Sequence, residues 1–170
     1  FEAGANTYGI TNFMVNTNGF ALFSGVTSNV PMSNLVIRLL GGTVGSYGVF
    51  GLGATTPTLA SLVNVESNSF INTPNDLQFV SNVVGSARIV KLGGNFWYQL
   101  GGNIVLSGGI IVSNGAISVG AANSTTTNID LDTDVQLAVA NTRVDFRRVG
   151  PYVFDNAITG VGIIRSQITN

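Results

Sequence analysis

The residues that could carry chemistry are few, and their types exclude most catalytic and metal-binding sites. The 170-residue chain contains neither histidine nor cysteine. It therefore cannot form a Ser-His-Asp or Cys-His nucleophile, or a metal site with thiolate or imidazole ligands. Its seven lysine and arginine residues, among which Lys91 is the only lysine, are too scattered for a basic nucleic-acid groove. We expect a protein that is not an enzyme, with no catalytic, cofactor-binding or metal-binding residues and no nucleic-acid partner.

One segment has the spacing of a cation site. Its alternating polar residues are Asn128, Asp130, Asp132 and Asp134. In a strand these side chains point the same way, and Asp-x-Asp-x-Asp also opens a calcium loop. Val135 stands where that loop requires glycine, however, and Asn141 where it requires glutamate. The segment is not an EF-hand. A weak calcium site stays open as an alternative, and we favour a solvated strand end or an acidic turn.

A second cluster is basic and lies close behind the first. Arg143, Asp145, Arg147 and Arg148 surround Phe146. Arginine side chains in this density could bind a phosphate or a sialic-acid carboxylate, because the guanidinium fork matches those groups. We favour the alternative that these arginines form ion pairs across strands with the Asp130–Asp134 segment.

The densest aromatic run is Phe96-Trp97-Tyr98. In a strand, Phe96 and Tyr98 share one face and Trp97 takes the other. An exposed Trp97 could stack on a sugar ring. We favour a tryptophan in the core or at an interface, where large aromatic side chains contribute most.

The elements that must position these residues are strands. Val135, Leu137 and Val139 alternate with smaller or polar residues, and Val144 and Phe146 do the same. The alternation predicts strands over residues 8–15, 19–26, 34–41, 46–52, 77–84, 87–92, 95–100, 102–119 as a hairpin, 126–140 as one or two strands, 142–148 and 157–168. A short helical turn is expected near Thr58–Val63.

The turn signals favour antiparallel pairing. Asn114-Gly115 and Asn18-Gly19 each separate two apolar runs, as two-residue hairpin turns do. Leu92–Asn95 recurs as Leu100–Asn103, but a solenoid needs further copies and none is visible, so these glycine pairs are interpreted as turns. The most hydrophobic strand, Ala157–Gln167, is expected at the centre of a sheet. We predict one domain, residues 1–170, all-β with little helix: an antiparallel β-sandwich of jelly-roll or Greek-key type.

Part of the chain resembles a known group of jelly rolls. The segments concerned are Gly94–Leu100, Asp134–Val139 and Thr159–Ile164. Together they resemble the later strands of viral and phage single jelly-roll proteins and of TNF/C1q-like knobs. The resemblance covers residues 87–168 and implies symmetric self-assembly on a particle or cell surface. It implies no catalytic residues.

Long stretches of the chain carry no charge. None lies between Arg38 and Glu66, or between Lys91 and Asp130, and charged residues make up only 9% of the sequence. Such stretches are typical of surfaces buried against copies of the same chain or of neutral virion surfaces. We therefore expect a virion or extracellular structural protein, a capsid or spike subunit, with itself and other surface proteins as partners and no transmembrane segment.

Two alternatives stay open. The chain could be a pilus-like extracellular filament subunit, with residues 1–23 as an assembly arm or exchanged strand added to the sheet edge of the next subunit. It could also be a carbohydrate-binding lectin module that uses Trp97 or the Arg143–Arg148 group.

Overall fold

The computed structural model describes residues 11–24, 35–47, 56–120, 129–149 and 152–167. Within these ranges the chain forms 19 short strands and no helix. Every pair of neighbouring strands runs parallel, as in the pair formed by Asn12–Asn16 and Val36–Leu40. The all-β prediction is confirmed, whereas the antiparallel β-sandwich of jelly-roll or Greek-key type is wrong. The fold is a β-solenoid, in which successive turns of the chain stack on one another.

The strands form three sheets and are numbered in chain order. Sheet 1 has six strands: β1 (Asn12–Asn16), β3 (Val36–Leu40), β6 (Leu62–Ser67), β9 (Val83–Gly85), β12 (Ile104–Leu106) and β15 (Leu131–Asp132). Sheet 2 has seven: β2 (Phe20–Ser24), β4 (Thr43–Tyr47), β7 (Ser69–Asn72), β10 (Ile89–Leu92), β13 (Ile110–Val112), β16 (Val135–Leu137) and β18 (Ile158–Gly160). Sheet 3 has six: β5 (Thr58–Leu59), β8 (Leu77–Phe79), β11 (Phe96–Gln99), β14 (Ala116–Val119), β17 (Arg143–Phe146) and β19 (Ile163–Ser166).

Each turn of the solenoid is here called a coil, and between β3 and β17 the coils visit sheets 1, 2 and 3 in that order. In sheet 1, Val63 pairs with Val83, and Val83 pairs with Ile104, so these coils take about 20 residues each. Where Ile117 pairs with Val144 in sheet 3, the coil is longer, at about 27 residues. Because neighbouring strands lie about 4.8 Å apart, the seven strands of sheet 2 span about 29 Å.

The core lies inside the coils and is built from columns of stacked side chains. Each strand turns one set of alternate residues inward, which explains the period-2 pattern of the sequence. One column of sheet 3 contains Leu77, Trp97, Ile117 and Val144, all fully buried. The ring centroid of Trp97 lies 5.5 Å from that of Phe79. Trp97 was predicted to lie in the core or at an interface, and the structure places it in the core.

The predicted hairpins are wrong. The strands on either side of Asn114-Gly115, β13 and β14, lie in different sheets and pair with neighbouring coils instead of with each other. The same holds for β1 and β2 on either side of Asn18-Gly19. Asn18 and Gly115 have φ angles of 64° and 69°. A left-handed residue therefore turns the chain at a corner of the coil as readily as in a hairpin.

Two further predictions are corrected at particular segments. Thr58–Val63 forms β5 and the start of β6, not a helical turn. Ala157–Gln167 is not one central strand, because it forms β18 and β19, the last strands of two sheets. Gly160 has a φ of 106°, and a Cβ there would lie 2.1 Å from the Leu137 carbonyl oxygen, so the chain bends closely over the preceding coil.

The predicted assembly arm, residues 1–23, lies partly outside the described residues. Its described part forms β1 and most of β2, which pair with β3 and β4. Exchange of this segment between subunits stays a prediction.

The glycine repeat marks two corners of one coil. Leu92–Asn95 links β10 to β11, and Leu100–Asn103 links β11 to β12. Gly93 and Gly102 have φ angles of 77° and 65°. The exclusion of a solenoid for lack of further copies is wrong, because the coils repeat in their pairing and inward alternation and not in their residues.

We expect Gly93→Ala to destabilise the fold by about 1–3 kcal/mol. Its Cβ would approach the Thr73 carbonyl carbon to 2.4 Å, in a backbone conformation that side chains rarely adopt. Gly94→Ala is the matched control, since a Cβ there meets nothing within 4 Å. Urea unfolding of both variants measures the difference, and equal stabilities would contradict the assigned corner.

Candidate functional site

The outer face of sheet 3 carries the cluster of arginine and aromatic side chains. We call Phe96, Tyr98, Arg143, Asp145 and Arg147 the Arg–aromatic cluster. Its aromatic members lie on β11 and its charged members on or just after β17, with β14 between them. The β14 positions in the same two columns are Ala116 and Ser118, whose small side chains are buried beneath the cluster. Small residues on the middle strand therefore let side chains two coils apart meet.

Asp145 holds the charged part of this cluster together. It is fully buried although it points away from the core, and its Oδ1 lies 2.7 Å from Arg143 Nε. Arg147 Nη2 donates to Asp145 Oδ2 at 3.1 Å. A carboxylate out of contact with water is stable only with such partners.

The same guanidinium groups cover the Phe96 ring. The Cζ atoms of Arg143 and Arg147 lie 4.7 and 5.5 Å from the centroid of Phe96. The other aromatic member, Tyr98, stacks on Phe96 with centroids 4.9 Å apart. The predicted shared face of Phe96 and Tyr98 is thus confirmed. Both guanidinium groups predicted to bind a phosphate or a sialic acid are already engaged within the chain.

Arg148 points elsewhere and makes different contacts. Its Nη1 donates to the carbonyl oxygen of Ile129 at 2.9 Å and lies 3.6 Å from Asp130 Oδ1. Its Cζ lies 4.2 Å from the centroid of the Tyr152 ring. The favoured pairing of the arginines with the Asp130–Asp134 segment therefore holds for Arg148, whereas Arg143 and Arg147 pair with Asp145.

The three aspartates of the predicted cation segment are exposed and engaged separately. Asp132 Oδ1 accepts from Asn156 Nδ2 at 3.0 Å, and Asp134 Oδ1 accepts from the Ala157 backbone N–H at 2.9 Å. They diverge because the chain turns from sheet 1 to sheet 2 between β15 and β16. Asn128 lies outside the described residues. Among those described, three or more acidic side chains nowhere come together as a metal site.

Lys91 lies inside the solenoid, a position that the analysis of motifs missed. It is fully buried between Ile71 and Val112 in one column of sheet 2. Its Nζ donates to three carbonyl oxygens, each at 2.9 Å, those of Leu92, Gly93 and Asn114. Burial lowers the pKa of Lys91 to about 7, and the charge of Asp76 acts in the opposite direction. The period-2 alternation could have predicted this position, because it places Lys91 on the same face of the strand as Ile89.

Gln99 is another inward polar residue that is bonded to the corners. Its Nε2 donates to the carbonyl oxygens of Ser81 and Gly101, at 2.7 and 2.6 Å. Its Oε1 accepts from Trp97 Nε1 at 3.3 Å. The Lys91 ammonium and the Gln99 amide nitrogen are thus satisfied by the backbone of the corners, as buried polar groups must be.

The outer face of sheet 2 has a different chemistry. Along one register column its residues are Phe20, Thr43, Phe70, Val90, Ile111, Gln136 and Thr159. We call the aliphatic and aromatic members, Phe20, Phe70, Val90 and Ile111, the apolar stripe. Leu22 and Leu92 flank it in the adjacent column. None of the described outward residues on the strands of sheet 2 carries a charge.

Comparison of the chain with protein-family models, with curated proteins and with solved structures finds no match. The part of the chain that the structure describes contains no helix long and apolar enough to cross a membrane.

We expect Asp145→Asn to reduce the free energy of unfolding by about 3 kcal/mol, because it leaves two neighbouring guanidinium groups without their buried counter-charge. Glu66→Gln is the matched control. It weakens the more exposed pair in which Arg38 Nε lies 2.6 Å from Glu66 Oε1, so its effect should be clearly smaller. Chemical denaturation compares the two, and a larger loss for Glu66→Gln would contradict the assigned role of Asp145.

Lys91 gives the stability a defined pH dependence. With a pKa of about 7 when folded and an ordinary value of 10.5, the lysine of the unfolded chain holds its proton over a range in which the folded chain releases it. Stability should therefore rise with pH across this window, and the contribution stays constant below it.

Lys91→Met removes this term while keeping an unbranched side chain. The stability of the wild type minus that of the variant should increase as the pH rises from about 7 towards about 10. Urea unfolding at several pH values measures the difference, in which the titration of shared groups cancels. A difference that does not change with pH would contradict the buried, deprotonating lysine.

Proposed function

We propose that this protein is a non-enzymatic structural subunit that assembles with copies of itself on a virion or another extracellular surface. The observation that carries the proposal is the apolar stripe on the outer face of sheet 2, whose described strands carry no outward charge. The charged residues that lie beside the stripe, Arg88 and Asp134, are at the ends of the strands, next to Ile111 and Gln136. Phe20 is 61% exposed and Leu22 39% exposed, and both lie on this face. Interfaces between subunits are depleted of charge at their centres and enriched in aromatic residues.

The distribution of charge supports a second copy as the partner of this face. The net charge is only −1, and the outward charged residues on described strands belong to sheets 1 and 3. An uncharged stripe has nothing to offer a nucleic acid or an anionic lipid surface. It is complementary to an identical stripe, which has the same length and the same spacing between coils.

A projecting spike or fibre suits this fold better than a tile of a closed shell, because a solenoid extends along one axis. The carbohydrate-binding alternative has less support. Trp97 is fully buried, and Arg143 and Arg147 are paired with Asp145.

The test places a charge on the apolar stripe. We expect the wild-type protein to have a solution mass that is a multiple of 17.6 kDa, and Ile111→Glu to dissociate it towards the monomer. Val105→Glu is the matched control, because Val105 lies on the outer face of sheet 1 in the same coil and is 39% exposed. Light scattering gives the mass, and thermal unfolding confirms that both variants fold. A monomeric wild type, or equal dissociation by both variants, would overturn the proposal.

A further inference from the structure

The chain contains two Asn-Gly sequences, Asn18-Gly19 and Asn114-Gly115. In such a pair the backbone nitrogen of the glycine can attack the side-chain Cγ of the asparagine, because glycine has no Cβ to hinder the ring that forms. The reaction is intramolecular. Its rate therefore depends on how close the fold holds the nitrogen to Cγ and on how well it stabilises the charge that develops. The two sequences differ in both respects.

At Asn114 the attacking nitrogen faces the group that it would attack. The Gly115 N–H donates to Oδ1 of Asn114 at 2.8 Å. Because Cγ lies about 1.2 Å from Oδ1, the nitrogen is within about 4 Å of Cγ, close to the range of about 3–3.5 Å at which reacting atoms meet. Asn114 is exposed, so water reaches its side chain.

Lys91 provides a charge at the atom where it is needed. Loss of the Gly115 N–H proton places negative charge on the Asn114 carbonyl oxygen, because both atoms belong to one conjugated peptide group. Lys91 Nζ donates to that oxygen at 2.9 Å, from a fully buried side chain. A fixed donor aimed at a developing oxyanion, away from water, accelerates such a step. Burial lowers the pKa of Lys91 only to about 7, so a large share of the molecules carries the ammonium at neutral pH.

Asn18-Gly19 is arranged differently. The Gly19 N–H donates to the carbonyl oxygen of Asn16 at 2.7 Å, so the backbone already engages this N–H. The single lysine of the chain is at the other sequence. The same dipeptide is therefore protected at one corner of the solenoid and activated at another.

We propose that Asn114-Gly115 is a site of self-modification, which the fold and Lys91 convert to an isoaspartyl linkage. In the first step Gly115 N loses its proton and bonds to Asn114 Cγ. The Cγ–Nδ2 bond breaks, and Nδ2 takes up a proton and leaves as ammonia. The product is a five-membered succinimide ring, and the step consumes no other reactant.

Water then opens the ring at one of its two carbonyls. Attack at Cγ gives aspartate. Attack at the Asn114 backbone carbonyl carbon breaks its bond to Gly115 N and gives isoaspartate with a free α-carboxylate. Lys91 favours the second route, because its Nζ polarises this carbonyl and then pairs with the carboxylate that replaces it.

The product also answers a need of the buried lysine. In the unmodified chain the three hydrogen-bond acceptors of Lys91 are neutral carbonyl oxygens. A buried ammonium is more stable beside a counter-charge that is also hydrogen-bonded to it. The isoaspartyl carboxylate supplies that charge at the position of the former Asn114 carbonyl.

The first test compares the two sequences within the unaltered protein. Samples are incubated at neutral pH, folded in buffer and unfolded in guanidinium chloride. Peptide mass spectrometry follows the replacement of the amide by a carboxyl group at Asn114 and Asn18. In the folded protein we expect Asn114 to react at least about tenfold faster than Asn18, whereas in denaturant the two rates should be similar. An Asn114 that reacts no faster than Asn18 in the folded protein overturns the proposal.

The second test removes the lysine. K91M takes the donor away from the Asn114 carbonyl, and Q99M is the matched control, since Gln99 Nε2 is bonded to a different corner at the Ser81 carbonyl. We expect K91M to slow the reaction of Asn114 at least about tenfold and to leave that of Asn18 unchanged, and Q99M to change neither. Circular dichroism checks the folding of both variants, and the first test decides the proposal even if K91M does not fold. An unchanged Asn114 rate in folded K91M, or an equal slowing in Q99M, overturns the role of Lys91.

The nature of the product tests the route of ring opening. Enzymatic methylation of isoaspartyl carboxylates measures the isoaspartate formed at residue 114. We expect a larger share of isoaspartate in the folded wild type than in guanidinium chloride, and the loss of this excess in K91M. A folded protein that yields mainly aspartate would contradict the pairing of the new carboxylate with Lys91.

Discussion

The parallel backbone ladder between coils is the interaction on which the rest of this structure depends. A short turn cannot connect two parallel strands. The chain therefore passes through the other sheets before it forms the next strand of the same sheet. That requirement gives the coil its three corners and gives each strand one inward and one outward face. The core, the outer faces and the two ends are all consequences of this connectivity.

Once the ladder is in place, each outer face becomes a set of straight columns with a spacing of about 4.8 Å. Side chains that are about 20 residues or more apart in sequence become neighbours. Phe96 and Arg143 meet in this way across Ala116, and Arg143 also pairs with the buried Asp145. The outer faces consequently differ in chemistry: the described strands of sheets 1 and 3 carry outward charged residues, and those of sheet 2 carry none.

Much of the local structure could be predicted from the sequence, and the pairing could not. The alternation around Trp97 placed a strand there and assigned Phe96 and Tyr98 to the opposite face, because those features depend only on a period of two. The alternation does not indicate whether neighbouring strands pair parallel or antiparallel. Asn114-Gly115 turns the chain equally well in a hairpin and at a coil corner, and the antiparallel choice was wrong for that reason. The Arg–aromatic cluster depends on register between coils, which no local pattern contains.

The inward polar residues also bear on how the chain finds its alignment. Columns of valine, leucine and isoleucine are nearly interchangeable, so a chain displaced by one whole coil would still bury much of its apolar surface. Lys91 and Gln99 break that equivalence, because their donors match the carbonyls of particular corners. In a displaced stack Lys91 would keep the carbonyls of its own corner, Leu92 and Gly93, but would lose that of Asn114 in the next coil, and a buried donor without its acceptor is unfavourable. These two side chains therefore favour the native alignment of the coils over an alignment that is displaced by one coil.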